Sequence, residues 1–250
     1  MTLRLEINGA VATLTIDRPS KRNAMSFEMW SSIPALLAKV ATNDTVRALV
    51  IRGTDHFSAG ADISEFATLR AGAEGAQRYS AAVHAGERAI ANLPKPTIAA
   101  VTGVCVGGGC EIALACDIRV AAPGARFGIT PAKLGIVYNF TSTKQLVDVV
   151  GPAWAKQILF TAEIIDAETA LRIGLVNELT PDPATRATEL ATTIATRAQS
   201  SVRATKTMIT KITNATPEDD EVRALYTESV QSRDYAEGVA AFLEKRPPNF

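Results

Sequence analysis

Cysteine and histidine are scarce in this chain of 250 residues, which has three of the first and two of the second. Cys105, Cys110 and Cys116 are odd in number, fall in one apolar region and form no C-x-x-C pair. That pattern argues against a disulfide framework or a zinc site and suits a reducing cytoplasm, where free thiols pack as small hydrophobes. His84 falls on a predicted helix and His56 in a loop before Phe57, and spacing assigns neither of them a carboxylate partner. Net charge is absent too, since 26 basic and 26 acidic residues cancel. Without a broad field of either sign, nucleic acid and anionic membranes are poor partners. No stretch approaches the roughly 20 apolar residues of a membrane span, and the alternating start MTLRLEINGAVATLTI is unlike a targeting segment. The chain also lacks Gly-Lys-Ser/Thr after its glycine run, the G-x-G-x-x-G spacing of a dinucleotide site, and the G-x-S-x-G elbow of a serine nucleophile. No metal-ligand cluster is visible, so metal-independent chemistry is expected.

What remains is an apolar content of 47%, enough to bury a sizeable core. LRLEI and VATLTID alternate around Asn8-Gly9, which predicts a hairpin closed by a type I′ turn. Ser26 is placed to cap a helix running to about Asn43, with Met29, Ile33, Leu36, Leu37 and Val40 at helical spacing. RALVIRG and TIAAV, at 47–53 and 97–101, read as buried strands. Between them a helix is expected over 76–93, ended by Pro94 and Pro96, which disfavour helix in the residues before them. A third strand is expected at IRVAA. From about residue 139 the pattern turns helical, with segments near 140–150, 152–160, 166–173, 184–199, 201–213, 218–231 and 234–244. Strands alternating with helices imply an α/β layered core, and the later helices a second, smaller layer.

The most unusual stretch is VCVGGGCE at 104–111, where three side chains are given up between a strand and the apolar helix of EIALACD. Glycines let a backbone approach another group closely, and the unpaired N–H groups of a helix start favour negative charge. Glu111 beside that start would repel a phosphate, so a transient oxyanion is the better guest. SAGADISEF, residues 58–66, again follows a strand and a glycine and again opens a helical turn, offering N–H groups near Gly60 and Ala61. Two N–H groups from separate loops aimed at one point would form an oxyanion hole.

Together SAGADISEF and GVCVGGGCEIALACDIRVAA resemble the crotonase superfamily, the enoyl-CoA hydratase/isomerase family, and the likeness extends to ATLTIDRPSKRNAMS, GLVNEL and FLEKRPPNF. The resemblance implies an α/β fold with a crotonase-type ββα spiral core over 1–190 that binds acyl-CoA. It also implies a C-terminal helical region over 191–250 that serves oligomerisation and closes the pocket. It further implies homotrimers or dimers of trimers, and coenzyme A as part of the substrate with no separate cofactor. On that basis the amides of Ala61 and Gly108 hold the thioester oxygen as it becomes an enolate, and Glu111 matches the first of the family's two catalytic glutamates. Burial would raise the pKa of Glu111 and the helix terminus would lower it, so the sequence leaves the sign open. Lys21, Arg22, Ala24, Ala59, Asp62, Ile63, Phe242 and Lys245 are candidates for substrate or CoA contact, with Asp62 better suited to capping a helix and Phe242 to reaching a neighbouring subunit's pocket.

One position departs from the hydratase pattern. Where F-G-x-P-E-x-x-L-G would place the second glutamate, this chain has Pro131, which cannot move a proton. TPAKLGIVYNF is instead similar to the methylmalonyl-CoA decarboxylase branch, in which Tyr138 would hold a substrate carboxylate. Three readings follow: hydration with Glu111 alone, decarboxylation assisted by Tyr138, or a CoA-binding protein without chemistry.

Overall fold

The computed structural model describes residues 2–250. β1 (Leu3–Asn8) and β2 (Val11–Ile16) form the expected antiparallel hairpin, paired from Leu3–Ile16 to Asn8–Val11. Its turn sits one residue later than expected. Asn8 ends the strand, and Gly9 takes a positive φ of 59° while Ala10 does not. One positive φ at the first central position is the type II′ pattern, which requires glycine there and nowhere else.

β2 then pairs in parallel with β3 (Ala48–Gly53), β3 with β4 (Thr97–Val101), and β4 with β6 (Ile118–Ala121). The two edges of this six-stranded sheet are β1 and β9 (Glu178–Leu179), the latter paired with β6. Because side chains alternate across a strand, each central strand feeds two cores. Leu49, Ile51, Ala99 and Val101 face the main core, and Ala48, Val50, Ile98 and Ala100 face a smaller one completed by Ala187 and Ala191. Burying each of the larger aliphatic side chains is worth about 1.5–3 kcal/mol. A second sheet of three short strands, β5 (Val104–Val106), β7 (Arg126–Gly128) and β8 (Ile165–Asp166), had no clear signal in the sequence, since none is longer than three residues.

Helix α1 (Phe27–Thr42) starts where expected, with the Ser26 hydroxyl accepting from the Met29 amide at 3.2 Å. It packs on α3 (Gly72–Ala91), which begins four residues before the expected 76 and ends at Ala91, with Asn92 as its cap. The first turn of α3 has no capping side chain, so nothing in the sequence marked its start. Between them lies the single turn α2 (Phe66–Leu69). Helix α4 (Gly108–Ala115) is buried along its whole length, which suits its apolar sequence. Its C-terminal end is tied down by the buried Arg119 of β6. This guanidinium donates to the carbonyls of Cys116 at 2.7 Å, Ala113 at 3.3 Å and Leu175 at 2.8 Å. Such donors satisfy carbonyls that a helix end leaves unpaired.

The remaining helices are α5 (Phe140–Thr161), α6 (Ala167–Arg172), α7 (Pro183–Ala195), α8 (Gln199–Thr213), α9 (Asp220–Gln231) and α10 (Arg233–Glu244). Within α5 the backbone breaks at Gly151, φ 74°, ahead of Pro152, at the division expected between two segments. The boundary expected at residue 190 falls inside α7, whose face of Ala187 and Ala191 packs on the main sheet. No helix among the described residues is long and apolar enough to cross a membrane.

Candidate functional site

The loop after β3 is fastened on two sides. On one side it bridges to Met25, whose amide donates to Gly60 O at 2.7 Å and whose carbonyl accepts from Asp62 N at 2.9 Å. On the other it bridges to β5, with Ser58 N donating to Val104 O and Val106 N to Ser58 O, both at 2.9 Å. Ala59 N donates to Arg22 O and Gly60 N to the Ser58 hydroxyl. Of the five amides from Ser58 to Asp62, four are thus committed, and that of Ala61 is left without a protein partner.

In the glycine run each residue has its own cause. Gly107 takes a positive φ of 53° and donates to Gly128 O at 2.8 Å, turning the chain from β5 into α4. Gly109 lies against Ser58, where a Cβ would come within 2.4 Å of the carbonyl oxygen. Gly108 faces a cleft. A Cβ there would lie 2.8 Å from Trp30 Cζ2, 3.5 Å from Ala61 N and 3.5 Å from Glu111 Oε2. The amide of Gly108, in the first turn of α4, also has no protein partner, and it lies 3.1 Å from where a Cβ on Gly60 would be. Two free donors from two loops therefore border one small space, with a carboxylate on its third side.

The cleft is lined by Trp30, Tyr79, Val83 and His84 from α1 and α3, by Ala59 to Ala61 and Ile63, and by Pro131, Leu134 and Tyr138 from the segment before α5. Glu111 is its one lining carboxylate. It is 8% exposed, and burial, reinforced by the charge of a second glutamate, pushes its pKa up to about 8. The direction left open by the sequence is upward: hydrogen bonds from Tyr138 and Ser142 lower the pKa but do not outweigh these two effects.

That second glutamate, Glu87 on α3, is the residue that sequence reasoning missed. It is fully buried, and burial pushes its pKa up to about 7 against the lowering hydrogen bond from Ser142. The Ser142 hydroxyl makes a short hydrogen bond to Glu87 Oε1 and lies 3.5 Å from Glu111 Oε1. Asn139, the N-cap of α5, accepts from the Ser142 amide and donates to its Oγ at 2.6 Å. A signal was present: Tyr79, Val83 and Ile90 form the inward stripe of α3, and Glu87 falls on it at the next helical step.

The other expected residues are placed as follows. Pro131, where the resemblance would place a second glutamate, lines the cleft. Tyr138 lines the cleft with its hydroxyl buried beside Glu111 and Ser142 but well aligned with neither, and burial, with the charge of Glu111, pushes its pKa well up. Ala59 and Ile63 line it, and Ala24 is buried behind it. Asp62, a candidate for substrate contact, is engaged within the protein. It caps the turn Ile63–Glu65 and is held by Arg18 at 2.7 Å and Lys21 at 3.0 Å; the Ser64 hydroxyl first, then Lys21 and Arg18, keep its pKa well below the usual range against the raising effect of burial. Lys21 is committed to that pair, whereas Arg22 is exposed in a left-handed conformation. Within one chain Phe242, 84% exposed on α10, and Lys245 are not brought to the cleft. His56 Nδ1 accepts from Val104 N at 3.3 Å. Cys105, Cys110 and Cys116 are free and buried, as expected. Among the described residues, no three His, Cys, Asp or Glu side chains are grouped to hold a metal ion.

Residues 6–250 match the sequence profile of a family described as enoyl-CoA hydratase/isomerase. A crotonyl-CoA hydratase of Syntrophomonas wolfei is 37% identical over 98% of this chain and 96% of its own length. A short-chain-enoyl-CoA hydratase of Clostridium acetobutylicum is 36% identical over 97% and 94%. Among solved structures, a protein of Hyphomonas neptunium assigned to the enoyl-CoA hydratase/isomerase family superposes with a TM-score of 0.97 at 41% identity, over 100% of this chain and 97% of that one.

Proposed function

Since the chain belongs to the enoyl-CoA hydratase/isomerase family, we propose that it processes a short acyl-CoA thioester through an enolate, with hydration of an enoyl-CoA as the leading reaction. The thioester oxygen sits between the amides of Ala61 and Gly108. As water adds to the β-carbon, charge moves onto that oxygen, and donors fixed in place before the reaction need not reorganise. Each such donor is typically worth 10²- to 10³-fold in rate. Glu111 in its ionised form takes the proton of the attacking water and returns it to the α-carbon, so hydroxide and proton add across the double bond with one carboxylate as carrier. The observation that carries this reading is that the two uncommitted amides and Glu111 border one space. The names of the hydratase relatives support enoyl-CoA as the substrate.

Decarboxylation of a malonyl-type acyl-CoA is the second reading, favoured by the buried, unpartnered hydroxyl of Tyr138 on the cleft wall. Loss of CO₂ leaves the same enolate and needs only one later protonation. Glu111→Gln and Tyr138→Phe, assayed separately on crotonyl-CoA and methylmalonyl-CoA, divide the two: hydration fails with the first variant, CO₂ release with the second. Acyl-CoA binding by thermal shift without turnover of either substrate would point to a binding protein and end both. We assign Phe242 to the contact between subunits of a homotrimer or dimer of trimers, which sedimentation of the wild type and Phe242→Asp tests.

A further inference from the structure

A hydratase-like cleft with one lining carboxylate faces a difficulty: a lone glutamate must be a base at one moment and an acid at the next. The buried groups behind Glu111 suggest how this chain meets it. Glu87 touches no part of the cleft, yet it sits one hydroxyl away from Glu111. An apolar side chain would occupy the stripe of α3 at no electrostatic cost. A buried carboxylate costs several kcal/mol unless paired or protonated, and here no cation is bonded to it and its Oε2 has no partner.

From this geometry we propose that Glu87 is a positioning residue for proton transfer: through the Ser142 hydroxyl it shares a single proton with Glu111, standing in for the carboxylate that Pro131 replaces. The inference rests on the reading of Glu111 as the proton carrier. Direction comes from hydrogen-bond accounting. Asn139 Nδ2 donates to Ser142 Oγ, so the one hydroxyl proton of Ser142 is free to point outward, and its short contact is to Glu87. Glu87 is then the ionised acceptor, and the shared proton rests on Glu111. The relay is balanced. Glu111 passes its proton to Ser142 Oγ while Ser142 passes its own to Glu87, leaving Glu111 ionised, Ser142 neutral and Glu87 protonated. Reversal restores the acid. The pair thus carries one negative charge before and after this exchange, and only its location changes.

Other groups around the pair leave this unchanged in kind. From α3 come Tyr79, His84 and Arg88, from the end of α2 Arg70, from α4 Cys110, and from the segment before α5 Tyr138 and Asn139. The hydroxyls of Tyr138 and Ser142, the Asn139 amide 3.5 Å from Glu111 Oε1 and the more distant Arg70 favour ionisation of Glu111, as Ser142 and Arg88 do for Glu87; burial and, for Glu111, the charge of Glu87 outweigh them.

The test is a ¹³C NMR titration of protein labelled at glutamate side-chain carboxyls, with the two resonances assigned from Glu87→Gln and Glu111→Gln. In the wild type the two carboxyls should change together, as coupled sites do. In Glu87→Gln the proton affinity of Glu111 should fall at least about tenfold, one pH unit, and the matching limb of the kcat/KM–pH profile should move with it. Ser142→Ala leaves both carboxylates in place but removes the hydroxyl that reaches each of them, so it should move Glu111 as well and weaken the coupling of the two titrations. Independent titration in the wild type, or an unmoved Glu111 in both variants, overturns the proposal. Failure of the functional reading is separately visible: Glu111→Gln would keep its activity whatever the NMR shows.

Discussion

Gly108→Ala adds one methyl group at the point where the two free amides and Glu111 meet. Its Cβ would stand 2.8 Å from Trp30 Cζ2, closer than carbon atoms pack, and 3.5 Å from both Ala61 N and Glu111 Oε2. For stability two terms oppose. Overpacking against the buried indole costs about 1–3 kcal/mol, and replacing glycine by alanine inside a helix returns about 1 kcal/mol. The net is a loss of about 0–2 kcal/mol, which a well-folded domain of 250 residues survives. For activity nothing offsets the methyl, because it occupies the space that the thioester oxygen needs. Losing the grip of one donor alone predicts a fall of 10²- to 10³-fold in kcat/KM. The assay pairs crotonyl-CoA hydration kinetics with a thermal melt. Gly124→Ala, where a Cβ meets nothing within 4 Å, serves as the neutral control. Gly109→Ala, whose Cβ would strike the Ser58 carbonyl at 2.4 Å, should instead lose stability and activity together. A Gly108→Ala enzyme within about threefold of wild type would refute the reasoning from geometry to rate.

Three further predictions follow from the charges. Asp62→Asn removes the carboxylate that holds Arg18 and Lys21, whose side chains are 23% and 44% exposed and so keep part of their hydration, and should destabilise by about 1–3 kcal/mol. The pKa of Asp62 is depressed, so its contribution is present at neutral pH and lost as pH falls through the acid range; the melts of wild type and variant should converge there. For Glu87 and Glu111 the sign is opposite. Their folded pKa values of about 7 and about 8 lie above the ordinary carboxylate value of 4.5, so stability declines as pH rises from about 5 to 8. Glu87→Gln should flatten that decline in denaturant melts run across the range. If Glu111 acts first as a base, hydration kcat/KM should rise with pH to a plateau above about 8; a profile that falls there would assign it as the initial acid.

Much of this arrangement was legible in the residues because its signals are local. The Ser26 cap and the spacing of Met29, Ile33, Leu37 and Val40 give α1 to within a residue. The β-branched runs of β3 and β4 are short and bounded, and the glycines mark where their sheet hands over to a site. What was hidden depends on partners distant in the chain. Strands of two or three residues such as β5, β7 and β8 exist only through their pairing. Asp62 reads as a cap in sequence, but its second role as the anchor of Arg18 and Lys21 spans more than 40 residues. In the sequence Glu87 is one charge of two in HAGERAI, with nothing local to set it apart. Only the approach of Ser142, 55 residues later, makes it part of the site.

The central claim is that Ala61 and Gly108 hold the carbonyl oxygen of a CoA thioester. It is tested most directly by a crystal structure with an unreactive acyl-CoA bound. The account predicts that oxygen at about 2.7–3.1 Å from both amide nitrogens, with the acyl α-carbon beside Glu111. An oxygen bonded elsewhere, with either amide facing away from it, would contradict the account.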